Sequence, residues 1–319
     1  MTVSAAPSAG GSPLERVLAE VCRLPEVKTL ARGLGPGTAQ MVFGVGGSVK
    51  TLLAAALHLS TGLPSVYVCV DLEAARRVET DLVTWLGEDA VVLFPAADPV
   101  PVGVVARSGE TRAQRLRALD VLQRREPLVV IAPVEAAAGL VPSPSRLARC
   151  SFTVRRGSGS GPHDLARALA DAGYERVPLV ETPGDFSLRG GIVDVYPPTR
   201  TEPYRVEFAG DEVVSIRSFS PETQRSTGEV EEAGIGPARE WVLGPGEADG
   251  LARRLRSELD RAVRTLERQG RLEAARRLGE RIGTDLGLLE AGTSPENVDA
   301  YAPLLDSEQA VLFDLLPEE

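Results

Sequence analysis

Between residues 41 and 131, short apolar runs alternate with amphipathic stretches, and this alternation narrows the fold more than any other feature of the chain. The runs are Met41-Val-Phe43, Val66-Tyr-Val-Cys-Val70, Val91-Val-Leu-Phe94 and Leu128-Val-Val-Ile131. Helical patterns separate them at residues 52–59, 72–86 and 111–122. Short apolar strands joined by helices predict an α/β body with a mainly parallel sheet, over residues 27–142. Ahead of it, Leu14, Val17, Leu18, Val21 and Leu24 form one helical stripe that Pro25 limits, so residues 1–26 read as a loose tail and a leading helix.

Composition removes several classes of function. With 319 residues, 43% of them hydrophobic, the chain can bury a large core in two or three units. Its 35 basic against 45 acidic residues give a formal charge of -10, which argues against a broad nucleic-acid surface. Cys22, Cys69 and Cys150 are scattered and read as reduced thiols, and with only His58 and His163 a histidine-rich zinc site is not expected. The first residues have neither the basic start nor the apolar run of a signal peptide, and no later stretch is apolar for long enough to span a membrane. The expected location is cytoplasmic.

Gly44-Val-Gly-Gly-Ser-Val-Lys-Thr51 fits a phosphate-binding loop in register, except that Val49 stands where the last glycine belongs. Such a loop closes backbone amides around phosphate, and a β-branched residue restricts that backbone. Gly44, Val49, Lys50 and Thr51 therefore read as a degenerate nucleotide loop, with weak nucleotide binding as the alternative. Asp71 and Glu73 follow an apolar strand as magnesium-binding acids would, yet Asp71 is equally placed to cap the next helix. Arg112 and Arg115, after the aromatic-proline segment 94–101, either reach nucleic acid or pair with neighbouring acids.

Pro142-Ser-Pro-Ser145 marks a crossing into a second unit. Residues 150–154 predict a strand, 157–161 a turn, and Pro162 with Leu165, Leu169 and Ala172 a short helix. Antiparallel strands follow: Ile192, Val193, Val195 and Tyr196 in one, Val206 and Phe208 in the next, and after a turn at Gly210-Asp211 a return through Val213, Val214, Ile216 and Phe219. Arg189 beside Gly190 and Gly191, with Phe186 expected to be accessible, suggests a docking surface rather than a hydrolytic centre. This unit is placed at 143–226. Beyond it, Leu251, Leu255, Leu259, Val263 and Leu266, then Leu272, Ala275, Leu278, Ile282, Leu286 and Leu289, give two helical stripes divided at Gly270; they pack internally or form a coiled-coil dimer.

The motifs Gly184-Asp-Phe-x-x-Arg-Gly-Gly-Ile-x-Asp-x-Tyr-Pro197, Pro203-Tyr-Arg-Val-Glu-Phe-x-x-Asp-Glu-x-x-Ser-Ile-Arg-x-Phe219 and Thr223-Gln-Arg-Ser226 together resemble the N-terminal UvrB-homology module of bacterial transcription-repair coupling factors (Mfd), and with it the first part of UvrB. The resemblance implies a degenerate RecA-like, UvrB-like body of domains 1a (27–142) and 1b with C-terminal packing helices (227–319), and an inserted α+β domain 2 (143–226) that binds UvrA. In it, Arg176 and Arg189 match basic positions of the UvrA-binding surface and Phe186 its aromatic shoulder, while Ser187 replaces a basic residue. A salt bridge from Arg189 to Asp185 or Asp194, and core packing of Phe186, are the structural alternatives. The resemblance further implies a noncatalytic, truncated N-terminal piece with no cofactor of its own; ATP and magnesium belong to motor domains of an ATP-dependent DNA translocase lying beyond it. Implied partners are UvrA and the other coupling-factor domains, with RNA polymerase and DNA reached through missing regions and no membrane. Rival expectations are an active UvrB-like ATP-dependent DNA damage-binding protein and an intramolecular regulatory module.

Overall fold

The computed structural model describes residues 12–97, 109–244, 246–295, 298–305 and 309–316. The expected tail over 1–11, the stretch 98–101 and the closing Pro317 lie outside them. Two compact units divide the chain, one from the described residues of Met1–Asp98, Ala113–Gly139 and Val311–Glu319, the other from those of Pro99–Arg112 and Leu140–Ala310.

The first unit begins with α1 (Pro13–Arg23), started by a reciprocal cap in which Ser12 and Glu15 each accept the other's backbone N–H, at 3.2 and 3.0 Å. Then come α2 (Pro25–Arg32), α3 (Val49–Thr61), β1 (Ser65–Cys69), α4 (Leu72–Leu86), β2 (Val91–Leu93), α5 (Gly109–Gln123, in this unit from Ala113 on), β3 (Val129–Pro133) and α6 (Val134–Ala137). β3 lies between β1 and β2 and pairs with both in parallel. It is buried throughout, as a central strand covered on both faces must be. Leu18, Val27, Ala55, Ala56, Leu82, Leu93 and Ile131 form the core, with Trp85 packed against it. The strand expected at 41–43 is corrected. These residues are outside the sheet, with Met41 79% and Phe43 80% exposed. The apolar run has strand propensity but no ladder partner, and propensity without pairing does not fix a strand. The expectation that Arg115 reaches nucleic acid is corrected: it is buried, its guanidinium 4.0 Å from the Phe94 ring centroid, and it donates to Pro95 O at 2.6 Å.

The second unit holds β4 (Val141–Pro142), α7 (Pro144–Arg149), β5 (Phe152–Arg155), α8 (Pro162–Asp171), β6 (Glu175–Arg176), β7 (Asp185–Arg189), β8 (Ile192–Val195), β9 (Tyr204–Ala209), β10 (Glu212–Phe219), β11 (Ser226–Glu229), β12 (Glu232–Ile235), α9 (Glu247–Arg268), α10 (Leu272–Glu290) and β13 (Gln309–Ala310). Strands β6 to β11 form one sheet in sequence order, antiparallel except for the parallel β6–β7 pair. β12 lies outside that sheet and pairs with β5. Leu165 and Leu169 of α8 share a core with Phe186, Val193, Val195, Val206 and Ile216 of the sheet, and Ala233, Ile235 and Ala238 belong to the same cluster. Gly270, at φ 73°, turns α9 back into α10. Leu251 and Leu255 pack with Leu286, Leu289, Tyr301 and Trp241, so the two apolar stripes meet within one chain. Arg146 fixes the start of α9 through an ion pair with Glu247, its guanidinium 5.7 Å from the Trp241 ring centroid. No helix among the described residues is long and apolar enough to cross a membrane.

Candidate functional site

Strand register divides the six-stranded sheet into two faces, because side chains alternate along each strand and align across it. Phe186, Leu188, Val193, Val195, Val206 and Phe208 lie on the face packed by α8. Ser187, Asp194 and Arg205 are paired in register on the other face. Arg189, two residues beyond Ser187, points the same way. Gly190, at φ 61°, makes the turn that brings Arg189 opposite Ile192. A Cβ on Gly191 would come within 3.0 Å of Phe208 O, and the Phe208 amide donates to Gly191 O at 2.8 Å. Glycine suits this position because a side chain there would crowd the facing backbone.

A buried carboxylate organises the polar face. Asp194 is 0% exposed and accepts from Arg205 Nε at 2.7 Å, Arg205 Nη2 at 2.9 Å and Arg189 Nη2 at 2.6 Å. Its full set of charge-assisted bonds offsets the cost of burying the charge. The hydrogen bond to Asp194 also raises the Arg205 pKa, against burial that lowers it. Arg205 stacks 4.6 Å from the Phe219 ring centroid, which fixes the guanidinium plane. Of the two cations that share this anion, Arg189 is the one nearer solvent, its side chain 48% exposed against 18% for Arg205. Asp185 is otherwise engaged, accepting from the amides of Glu181 and Thr182 at 3.2 and 2.9 Å.

The other expected residues separate. Arg176 is exposed on β6, in register with Phe186, and forms no ion pair among the described residues. Phe186 is 2% exposed and belongs to the core, so the accessible ring expected from sequence is corrected: alternation turns residue 186 inward when residue 189 turns outward. Arg205 was not singled out by the sequence reading, although the alternation Arg205, Glu207 against Val206, Phe208 places it on the face of Arg189.

The glycine loop leads directly into α3, with Ser48 as its N-cap and Val49 as its first residue. Gly44 and Gly47 have positive φ; Val49 is helical and exposed. The Val49 and Lys50 amides bond to Gly46 O and Gly47 O, each at 3.3 Å. Thr51, buried, places its hydroxyl 2.8 Å from Ser48 O and 3.0 Å from Asp81 Oδ2. A cavity of about 600 Å³ adjoins the loop, lined by Gly47, Lys50, Thr51, Tyr67 and Asp81 among others. Asp71 caps α4 by accepting from the Ala74 amide at 2.7 Å, and Glu73 pairs with Arg77 one turn on.

Residues 152–241 match the UvrB interaction domain. The transcription-repair-coupling factor of Bacillus subtilis (strain 168) is 31% identical over 294 residues, covering 92% of this chain and 25% of the relative. That of Myxococcus xanthus is 33% identical over 242 residues, covering 73% of this chain and 19% of the relative. The UvrABC system protein B of Treponema denticola is 27% identical over 313 residues, covering 92% of this chain and 47% of that protein. The chain thus spans between about a fifth and a half of the length of these relatives. Its mixed α/β architecture accords with a RecA-like, UvrB-like fold, and by these matches the chain is homologous to the family of transcription-repair-coupling factors and UvrB proteins.

Proposed function

We propose that this chain is the N-terminal, noncatalytic module of a transcription-repair coupling factor and that it recruits UvrA through the polar face of its sheet. The observation that carries this reading is Arg189: it lies inside the span matching the UvrB interaction domain, half exposed and held by a buried carboxylate. A guanidinium fixed in this way loses little side-chain freedom on binding and offers its remaining donors to a carboxylate. Arg176 is a second exposed cation on the edge strand, but its register with Phe186 turns it toward the other face, at the rim of this surface. In this reading residues 27–142 and 227–319 are the supporting domains 1a and 1b, residues 143–226 are domain 2, and the protein works in the cytoplasm.

The same proposal gives the glycine loop no catalytic role. Two amides that would face a phosphate are turned onto Gly46 and Gly47, and the Thr51 hydroxyl, which would face magnesium, lies against Asp81. Both observations favour a structural turn. DNA translocation would belong to parts of the longer relatives that this chain does not span.

Titrating purified UvrA with the wild-type chain, Arg189→Ala and Arg176→Ala, with and without magnesium ATP, tests the reading. Binding should not require nucleotide, should weaken at least about tenfold for Arg189→Ala, and should weaken less for Arg176→Ala. UvrA affinity unchanged by Arg189→Ala would reject the contact, and turnover of ATP by the chain would reject the noncatalytic assignment.

A further inference from the structure

The outer face of α9 carries an arginine stripe that the sheet surface does not use. At about 100° per residue, Arg253, Arg261, Arg264 and Arg268 fall within an arc of about 80°. The apolar seam formed by Leu251, Leu255, Leu259, Val263 and Leu266 is centred on the opposite side of the helix. All four arginines are exposed. Arg261 pairs with Glu258 at 3.0 Å, both side chains largely in solvent, and such a pair is weak enough to exchange for another anion. Among the described residues, Arg253, Arg264 and Arg268 form no ion pair. The nearest carboxylates of α9 lie about 20–60° outside the arc, Asp249, Asp260 and Glu267 on one side and Glu247, which is paired with Arg146, and Glu258 on the other; on α10, Glu273 and Glu280 are engaged by Arg276 and Glu290 by Arg256.

We propose that this stripe binds the phosphate backbone of double-stranded nucleic acid without reading its sequence. Fifteen residues of helix separate Arg253 from Arg268, about 22 Å. A duplex carries one phosphate charge per about 1.7 Å of axis, so the stripe would lie along roughly thirteen charges. The chemistry within the arc favours phosphate over an acidic protein. Besides the arginines it contains only Gly250 and Ser257, whereas protein interfaces are built around apolar and aromatic anchors. A backbone contact needs only cations and donors. The charge of -10 on the whole chain does not prevent this, because charges more than about 10 Å apart are screened near 0.1 M salt.

The test is fluorescence anisotropy with a labelled 30-base-pair duplex of arbitrary sequence, using the full chain and a fourfold variant (Arg253→Gln, Arg261→Gln, Arg264→Gln, Arg268→Gln). Four phosphate contacts give a slope of log K against log salt of about -3.6, which is roughly a hundredfold loss between 50 and 200 mM. The variant should bind at least tenfold more weakly at 50 mM salt and lose most of that slope, with its helix content and thermal unfolding unchanged. Absence of duplex binding by the wild-type chain at 50 mM salt, or an unaltered slope in the variant, would overturn the proposal. Tighter binding to polyglutamate of matched charge than to the duplex would overturn the choice of nucleic acid.

Discussion

Arg205→Ala and Arg189→Ala remove a guanidinium from the same carboxylate, yet their costs should differ. Without Arg205, buried Asp194 loses two of its three bonds and the stacked cation above Phe219, and unfolding in urea should show a loss of about 3–5 kcal/mol. Without Arg189, Asp194 keeps its two-pronged partner, and removing an exposed side chain should cost about 1 kcal/mol or less. His58 provides a second test. It is buried, and burial lowers its pKa from the ordinary value. The unfolded chain therefore binds a proton near pH 6.5 that the folded chain refuses, so His58 makes stability fall as pH drops below about 6.5. His58→Gln should flatten this limb in urea midpoints measured from pH 5 to 8. At this scale the sequence offered the Arg189–Asp194 pair among its alternatives but left the state of Phe186 open. Whether a ring beside an exposed arginine faces in or out depends on the parity of its position in a strand, and a motif alone does not set that parity.

The turn between β7 and β8 separates two requirements for glycine. Gly190→Ala would place a side chain at positive φ, costing about 1–2 kcal/mol without displacing a neighbouring strand. Gly191→Ala would press a methyl group onto Phe208 O and push β9 away. Amide hydrogen exchange distinguishes them: the Phe208 amide should exchange faster in Gly191→Ala than in Gly190→Ala. Strands were legible where they paired locally, as in β8 to β10, since turn residues and alternation specify hairpins. β10 shows the limit. Val213, Ile216 and Phe219 are buried at intervals of three, while Val214 is exposed, because the register shifts between Val213 and Ser215 and again at Phe219. At residues 41–43 the same apolar pattern produced no strand, since pairing there depends on distant chain.

At the scale of the whole molecule, the core of the sheet extends past residue 226. Ala233, Ile235 and Ala238 complete the cluster under α8, β12 pairs with β5, and the Tyr174 hydroxyl donates to Gly236 O at 2.8 Å. A piece ending at 226 exposes that cluster, whereas one ending at 241 retains it. Residues 143–241 should therefore unfold cooperatively with dispersed amide resonances, and residues 143–226 should be less stable or aggregate under the same conditions. A cooperative, equally stable 143–226 piece would show that β12 is dispensable. The interruption of both periodicities by proline and serine at residues 142–145 was legible. The contribution of residues 232–238 was not, because β12 pairs with a strand some eighty positions earlier.

The chain has two tryptophans, and each compact unit holds one. Trp85 packs against the core of the first unit, and Trp241 is buried beside Arg146 in the second. Intrinsic fluorescence therefore comes labelled by unit without any added dye. In a Trp85→Phe chain all remaining indole emission reports the second unit, and in Trp241→Phe the first, so an optical melt can be resolved into its two sources.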